Sequence, residues 1–84
     1  MSDVYVVIAE FSHWEFMDTE YPTQSMEVVC ATADKDFAQT TAAAWSPQNL
    51  PEYVSPYVTS WNVAMLWWRD GVLVSRIEVK DGRN

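Results

Sequence analysis

One segment of the sequence combines side chains that could perform acid-base chemistry or hold a metal ion. It runs from Glu10 to Glu15 and contains His13, with Asp18 and Glu20 a few residues further on. Histidine can donate and accept a proton near neutral pH, so His13 suits a general acid or base, or a metal ligand together with Glu15 and Asp18. A single histidine in an acidic turn is more often a solvated surface residue, and we expect His13 to be one.

The single cysteine, Cys30, is the other side chain with chemical potential. It follows two valines in a predicted strand, which is typical of a buried small hydrophobic residue. A nucleophilic role would need His13 close by. One cysteine cannot form an intramolecular disulfide, and we therefore expect a cytoplasmic protein.

The sequence lacks the motifs of the common catalytic classes. Gly71 and Gly82 are its only glycines, which excludes a glycine-rich phosphate-binding loop of the P-loop or dinucleotide-binding kind. It has no G-x-S-x-G, C-x-x-C or H-E-x-x-H motif and no acidic loop with calcium-binding spacing. We therefore predict that the chain is not an enzyme and that it binds no cofactor or metal ion.

The charge of the chain is strongly negative and unevenly distributed. Twelve acidic and five basic residues give a net charge of -7 at pH 7, which repels a nucleic-acid backbone and favours a protein partner with a basic surface. Residues 1–34 contain no lysine or arginine, and their acidic residues are Asp3, Glu10, Glu15, Asp18, Glu20, Glu27 and Asp34. We expect a protein partner and no direct nucleic-acid binding. An acidic surplus that serves only solubility is the alternative.

Length and hydrophobicity indicate one folded domain, which we assign to residues 1–84. Hydrophobic residues make up 49% of the 84 residues, enough for a packed core. The longest apolar runs have six residues, whereas a membrane-spanning helix needs about 20. We expect no contact with a membrane.

The apolar pattern predicts an α+β fold with the order β-β-α-β-β. Its mostly antiparallel four-stranded sheet would carry one helix on one face and end in a C-terminal β-hairpin. Residues 4–11 are apolar at both odd and even positions, so both faces of the strand are apolar, which is typical of a central strand. Residues 13–25 are predicted to form a long connection, and a second strand is predicted at 26–31.

One amphipathic helix is predicted after the second strand. Thr32 or Asp34 is suited to cap it, and Pro47 is expected to lie beyond its end. Phe37 and Trp45 recur near helical spacing, and we expect both to pack on the sheet.

The C-terminal hairpin is the clearest structural signal. Asp70 and Gly71 separate two apolar runs, 58–68 and 72–79, as in a two-residue type I′ turn. Uninterrupted pairing around this turn places Leu66 and Ile77 on one face of the hairpin. We expect the helix to pack on this face, because the small side chains of the face leave room for the aromatic side chains of the helix.

The opposite face of the hairpin is expected to be partly open and to bind a protein. Apolar residues with a charged rim are typical of such surfaces, where tryptophan and methionine are favoured. The residues predicted for this role are Trp61, Val63, Met65, Trp67, Arg76 and Glu78. The alternative is that the proline-rich loop after the helix and the segment 12–24 fold over this face and bury it.

In size, charge and order of elements, the chain resembles small accessory and inhibitor proteins encoded by bacteriophages, and bacterial immunity proteins that block a toxin. The resemblance implies a binding module or inhibitor that acts on a host defence protein or a nucleic-acid-handling protein. It would act by steric blocking or by nucleic-acid mimicry, in which carboxylates replace phosphates. The carboxylates predicted for mimicry are those of Glu10, Glu15, Asp18, Glu20 and Glu27. The alternative hypothesis is a homodimer with a structural or accessory role and no catalytic activity.

Overall fold

The computed structural model describes residues 2–15 and 20–84. In these residues four antiparallel strands form one sheet with one α-helix, and no helix is both long and apolar enough to cross a membrane. The elements are β1 (Asp3–His13), β2 (Thr23–Thr32), α1 (Lys35–Ala44), β3 (Val58–Arg69) and β4 (Val72–Arg83). Two short 3₁₀ turns, Pro47–Asn49 and Ser55–Tyr57, lie between α1 and β3. The predicted order of elements, the antiparallel sheet and the C-terminal hairpin are confirmed.

Strand β1 lies in the interior of the sheet, whose strand order is β2-β1-β3-β4. It pairs with β2 on one side and β3 on the other, so that Val7 lies between Cys30 and Met65. The central position predicted for this strand is confirmed. Both N-terminal strands are longer than predicted, because β1 continues to His13 and β2 begins at Thr23.

Helix α1 begins where the sequence places a capping residue. The backbone N–H of Phe37 donates a 3.1 Å hydrogen bond to Asp34 Oδ1, which satisfies one of the free N–H groups of the first turn. The buried residues of the helix are Ala38 and Ala42, whereas Phe37 is 55% exposed. The prediction that Phe37 packs on the sheet is therefore wrong, because the alanines of the helix face the strands.

The predicted two-residue turn of the hairpin is confirmed. Asp70 and Gly71 have positive φ angles of 51° and 79°, and Arg69 pairs with Val72 on either side of them. Positive φ at both central positions is the requirement of a type I′ turn, which matches the twist of the two strands.

Two β-bulges in the pairing of β3 with β4 change which residues share a face. They leave Val74 and Val79 without a direct partner, so that Met65 pairs with Ile77. Because side chains alternate along a strand, each extra residue moves the following part of β4 to the other face. The prediction that Leu66 and Ile77 share a face is wrong for this reason.

The hydrophobic core lies between α1 and the face of the sheet that carries Val7, Val63 and Met65, each 0% exposed. We call it the helix face. The small alanines of α1 let the helix approach closely, so the large core side chains come from the strands. The connection after α1 adds Trp45 and Leu50 to the same core. The helix thus covers the face predicted to be open, and the proline-rich loop helps to bury it, while residues 16–19 of the segment 12–24 lie outside the described residues.

We expect Gly82→Ala to destabilise the protein by about 1 to 3 kcal/mol. Gly82 pairs with Trp61, and a Cβ atom at Gly82 would lie 2.4 Å from Cζ2 of the indole ring. The ring packs against the core, so it cannot move away without losing contacts. Urea unfolding measures the loss. The same substitution made together with Trp61→Leu should cost much less, and an equal loss in both backgrounds would contradict the clash.

Candidate functional site

The residues predicted to form a protein-binding surface are divided between the two faces of the sheet. Trp61, Val63, Met65 and Trp67 lie on the helix face. Val63 and Met65 are fully buried there, and the two tryptophans are partly buried against the core. Their predicted role as an open apolar surface does not fit this placement, because α1 already occupies that face.

Arg76 and Glu78 lie on the other face, together with Glu10. Arg76 Nη2 donates a hydrogen bond to Glu10 Oε1, and Arg76 Nε donates one to Glu78 Oε1 at 2.5 Å. Asn62 Nδ2 also donates to Glu10 Oε1, at 3.1 Å. The hydrogen bond from Arg76, reinforced by that from Asn62, lowers the pKa of Glu10. The bonds to Glu78 and Glu10 raise the pKa of Arg76, so the guanidinium group of this ion-pair cluster remains charged at neutral pH.

We expect this cluster to contribute modestly to stability in a pH-dependent way. Glu10→Gln should lower the free energy of unfolding near pH 7 by about 1 kcal/mol or less, since the Arg76 and Glu10 side chains are 38% and 39% exposed. Folding lowers the pKa of Glu10 below its ordinary value of 4.5. The contribution is therefore complete above pH 4.5 and is lost as the pH falls through the folded pKa.

Urea unfolding of wild type and Glu10→Gln, from neutral pH downward, checks this dependence. The difference between the two free energies should shrink below pH 4.5. Glu52→Gln, at an exposed position in the connection after α1, serves as the control. A difference that stays constant down to acid pH would contradict the role given to the Glu10 carboxylate.

The carboxylates predicted to replace phosphates do not lie on one surface. Glu10 and Glu27 occupy adjacent rows of the β1–β2 pairing and so point to opposite faces of the sheet. The Glu27 carboxylate accepts a hydrogen bond from a core indole N–H. Glu15 and Glu20 are exposed between β1 and β2, and Asp18 lies outside the described residues. These positions do not make a continuous acidic row.

His13 and Cys30 lie too far apart to act together. His13 is 8% exposed and forms a 2.9 Å hydrogen bond between its Nε2 and Ser25 Oγ, so the predicted solvated position is wrong. Cys30 pairs with Val7, and His13 pairs with Thr23, which separates the two side chains by roughly 20 Å at about 3.4 Å per residue. Within residues 2–15 and 20–84, no group of three or more His, Cys, Asp or Glu side chains could hold a metal ion.

The face of the sheet opposite α1 has no second layer in the described part of the chain, and we call it the open face. Both α1 and the connection after it join the core on the helix face. An apolar patch runs across the open face from Leu73, beside the hairpin turn, to Met26, which pairs with Glu10. The residues of this apolar patch are Val4, Val6, Ile8, Met26, Val28, Ala64, Leu66, Trp68 and Leu73, of which Ile8 and Ala64 are buried among their neighbours. Met26, Val28 and Leu73 are 59%, 58% and 46% exposed.

The remainder of the open face is polar. Glu10 pairs with Asn62 across β1 and β3, and both line a shallow groove of about 420 Å³ with Ser12 and Arg83. The Arg76 ion-pair cluster borders the apolar patch, because Arg76 pairs with Leu66, and it reaches the groove through Glu10. Apolar residues beside a polar rim are the arrangement of a protein interface, whereas a small-molecule site is an enclosed and mostly apolar pocket.

The sequence contains a partial signal for the apolar patch. Strand β1 is apolar at both odd and even positions, so both of its faces are apolar. The one short helix can cover only one of these faces. In β2, Met26 and Val28 alternate with Ser25 and Glu27, which places two apolar side chains of this edge strand on the same face. The sequence prediction leaves the wrong face open, because it places Arg76 and Glu78 beside Met65, whereas the bulges of β4 place them beside Leu66.

Comparison with protein-family models, curated proteins and solved structures found no match for this chain. The open face is therefore interpreted from its own residues. It combines an exposed apolar patch with a charged rim.

Proposed function

We propose that this chain is a protein-binding module and that the open face of the sheet is its binding surface. The observation that carries the proposal is the exposure of Met26, Val28 and Leu73, between 46% and 59%, on one continuous apolar patch. Single exposed apolar side chains are normal, but a contiguous group on one face of a sheet is typical of a surface that another protein covers. The Arg76 cluster supplies the polar rim.

Steric blocking fits the open face better than nucleic-acid mimicry as the mechanism of an inhibitor. A flat apolar surface excludes water once it is covered, and its occupant is then unavailable to other partners. Mimicry would need several carboxylates placed along one row, as phosphates are. Glu10 is already paired with Arg76, and Glu27 lies on the opposite face, so neither supports such a row.

Photo-crosslinking tests the binding surface. A photoreactive phenylalanine analogue that replaces Met26 should crosslink the module to another protein chain, either in a cell lysate or in the purified protein. The same analogue in place of Phe37 is the matched control, because Phe37 is 55% exposed on α1 and Met26 is 59% exposed on the open face. We expect crosslinks from position 26 and not from position 37. Equal yields from both positions, or none from position 26, would contradict the proposal.

A further inference from the structure

We infer that the protein covering the open face is a second copy of this chain, in a two-fold symmetric dimer whose sheets pack face to face. This inference rests on the proposed function, since it names the partner of the same surface. Four features support the inference: the size of the open face, its charge, its mixture of residues and the bulges in the edge strands.

The open face is large enough for a stable dimer. Its strands contain 10 to 12 residues, about 33 to 40 Å at about 3.3 Å per residue, and four strands about 4.8 Å apart are about 19 Å wide. Each copy therefore offers about 700 Å², close to the roughly 800 Å² per partner of a standard interface. Two sheets about 10 Å apart interdigitate their side chains, which would bury Met26, Val28 and Leu73.

The charge of the open face favours a second copy over a basic partner. Three acidic residues lie on it and two basic ones, which gives a net charge of -1, against -7 for the whole chain. These residues are Glu10, Glu78, Asp81, Arg76 and Arg83. A basic partner would be attracted to the other surfaces, where most of the negative charge lies. Two copies that meet through the open face join surfaces of low net charge and leave the acidic ones in solvent.

The mixture of residues on the open face suits two-fold symmetry. A symmetric dimer uses the same surface on both copies, so the surface must be complementary to itself. The apolar patch satisfies this condition, because apolar side chains pack against one another. Arg76 beside Glu10 and Glu78 satisfies it at the rim, because each copy presents both signs of charge to its partner.

The edges of the sheet disfavour the other common mode of strand association. The edge strands β2 and β4 both contain β-bulges, at Val29 in β2 and at Val74 and Val79 in β4. A bulge interrupts the row of hydrogen-bonding groups that a second sheet would need for edge-to-edge pairing. Association through the face does not depend on that row.

Analytical ultracentrifugation of wild type, Val28→Lys and Val72→Lys tests the dimer. Val28 lies in the apolar patch and is 58% exposed, whereas Val72 is 66% exposed and its pairing with Arg69 places it on the other face. We expect wild type to sediment with twice the mass of the chain. Val28→Lys should raise the dimer dissociation constant at least about tenfold, because it would bury a charged side chain between the two sheets, and Val72→Lys should change it less than about twofold.

The possible results separate the two proposals. Circular dichroism shows whether Val28→Lys folds, and Leu73→Lys, at a 46% exposed position of the same patch, replaces it if it does not. If the wild type stays monomeric up to about 1 mM, the inference that a second copy covers the open face is wrong. Crosslinks from position 26 to a different protein would still support the proposed function in that case. A monomer without such crosslinks would overturn both. A dimer that tolerates Val28→Lys and Leu73→Lys, or that is weakened equally by Val72→Lys, would overturn the face-to-face arrangement.

Discussion

Replacing Met65 with alanine is expected to lower the free energy of unfolding by about 2 to 5 kcal/mol. Met65 lies on the helix face of β3 and is 0% exposed. It belongs to the same core cluster as Val7, Ala38 and Ala42, so the truncation removes buried apolar surface and leaves a cavity beneath α1. A chain of 84 residues has a total stability of about 4 to 13 kcal/mol. The substitution therefore removes a large part of it.

Met26→Ala is the matched control, because it removes the same atoms from the open face, where Met26 is 59% exposed. We expect it to change the stability of the monomer by about 0.5 kcal/mol or less. Urea unfolding followed by circular dichroism, at protein concentrations low enough to keep the chain monomeric, gives both values. Equal losses in the two variants would mean that α1 does not cover Met65.

Trp45→Ala should have a similarly large effect, a loss of about 3 to 5 kcal/mol. Trp45 caps the C-terminal end of α1 and is 3% exposed. Its ring belongs to the core cluster with Leu50 and Val58, and its Nε1 donates a 3.2 Å hydrogen bond to Glu27 Oε2 on β2. The side chain thus joins the end of the helix to an edge strand. Urea unfolding of the variant measures the loss.

Trp45→Phe separates the two contributions of this residue. Phenylalanine keeps much of the buried ring but has no N–H to donate to Glu27, and we expect a loss of about 1 kcal/mol from the missing hydrogen bond, with a further loss from the smaller ring. The sum should remain clearly below the loss in Trp45→Ala. If the two variants were equally unstable, the hydrogen bond and not the burial of the ring would dominate.

The order and type of the elements could be predicted because their signals are local. Asp70 and Gly71 adopt the positive φ angles that a two-residue turn requires, and Asp34 caps α1 with its own side chain. Each signal depends on residues that are adjacent in sequence. The central place of β1 could be predicted for a similar reason, since its run of apolar side chains has to be buried between two neighbours.

The faces of the sheet could not be predicted in the same way. Val74 and Val79 are the extra residues of the two bulges in β4, and valine is equally common at regular strand positions. A shift of one residue reverses the face of the side chains that follow. It moved Ile77 to the helix face and left Arg76 and Glu78 on the open face.

The candidate site shows the effect of that reversal most directly. The sequence predicts apolar side chains of β3 beside Arg76, and this combination is observed. Leu66 and Trp68 share the face with Arg76, however, whereas Met65 and Trp67 lie on the helix face. The face that α1 covers is determined by contacts between distant parts of the chain. The local sequence around the two buried alanines of α1 does not indicate which face that is.

The interior position of β1 governs when the chain can fold during its synthesis. Val7 pairs with Met65 and Ala9 with Val63, so one side of β1 has no partner strand until β3 has left the ribosome. A nascent chain that ends before Val58 would expose these apolar residues at an unpaired strand edge, where chaperones bind and aggregation begins. Pairing between such distant segments is slow. We therefore expect the sheet to form in one late, cooperative step once the C-terminal hairpin has been made.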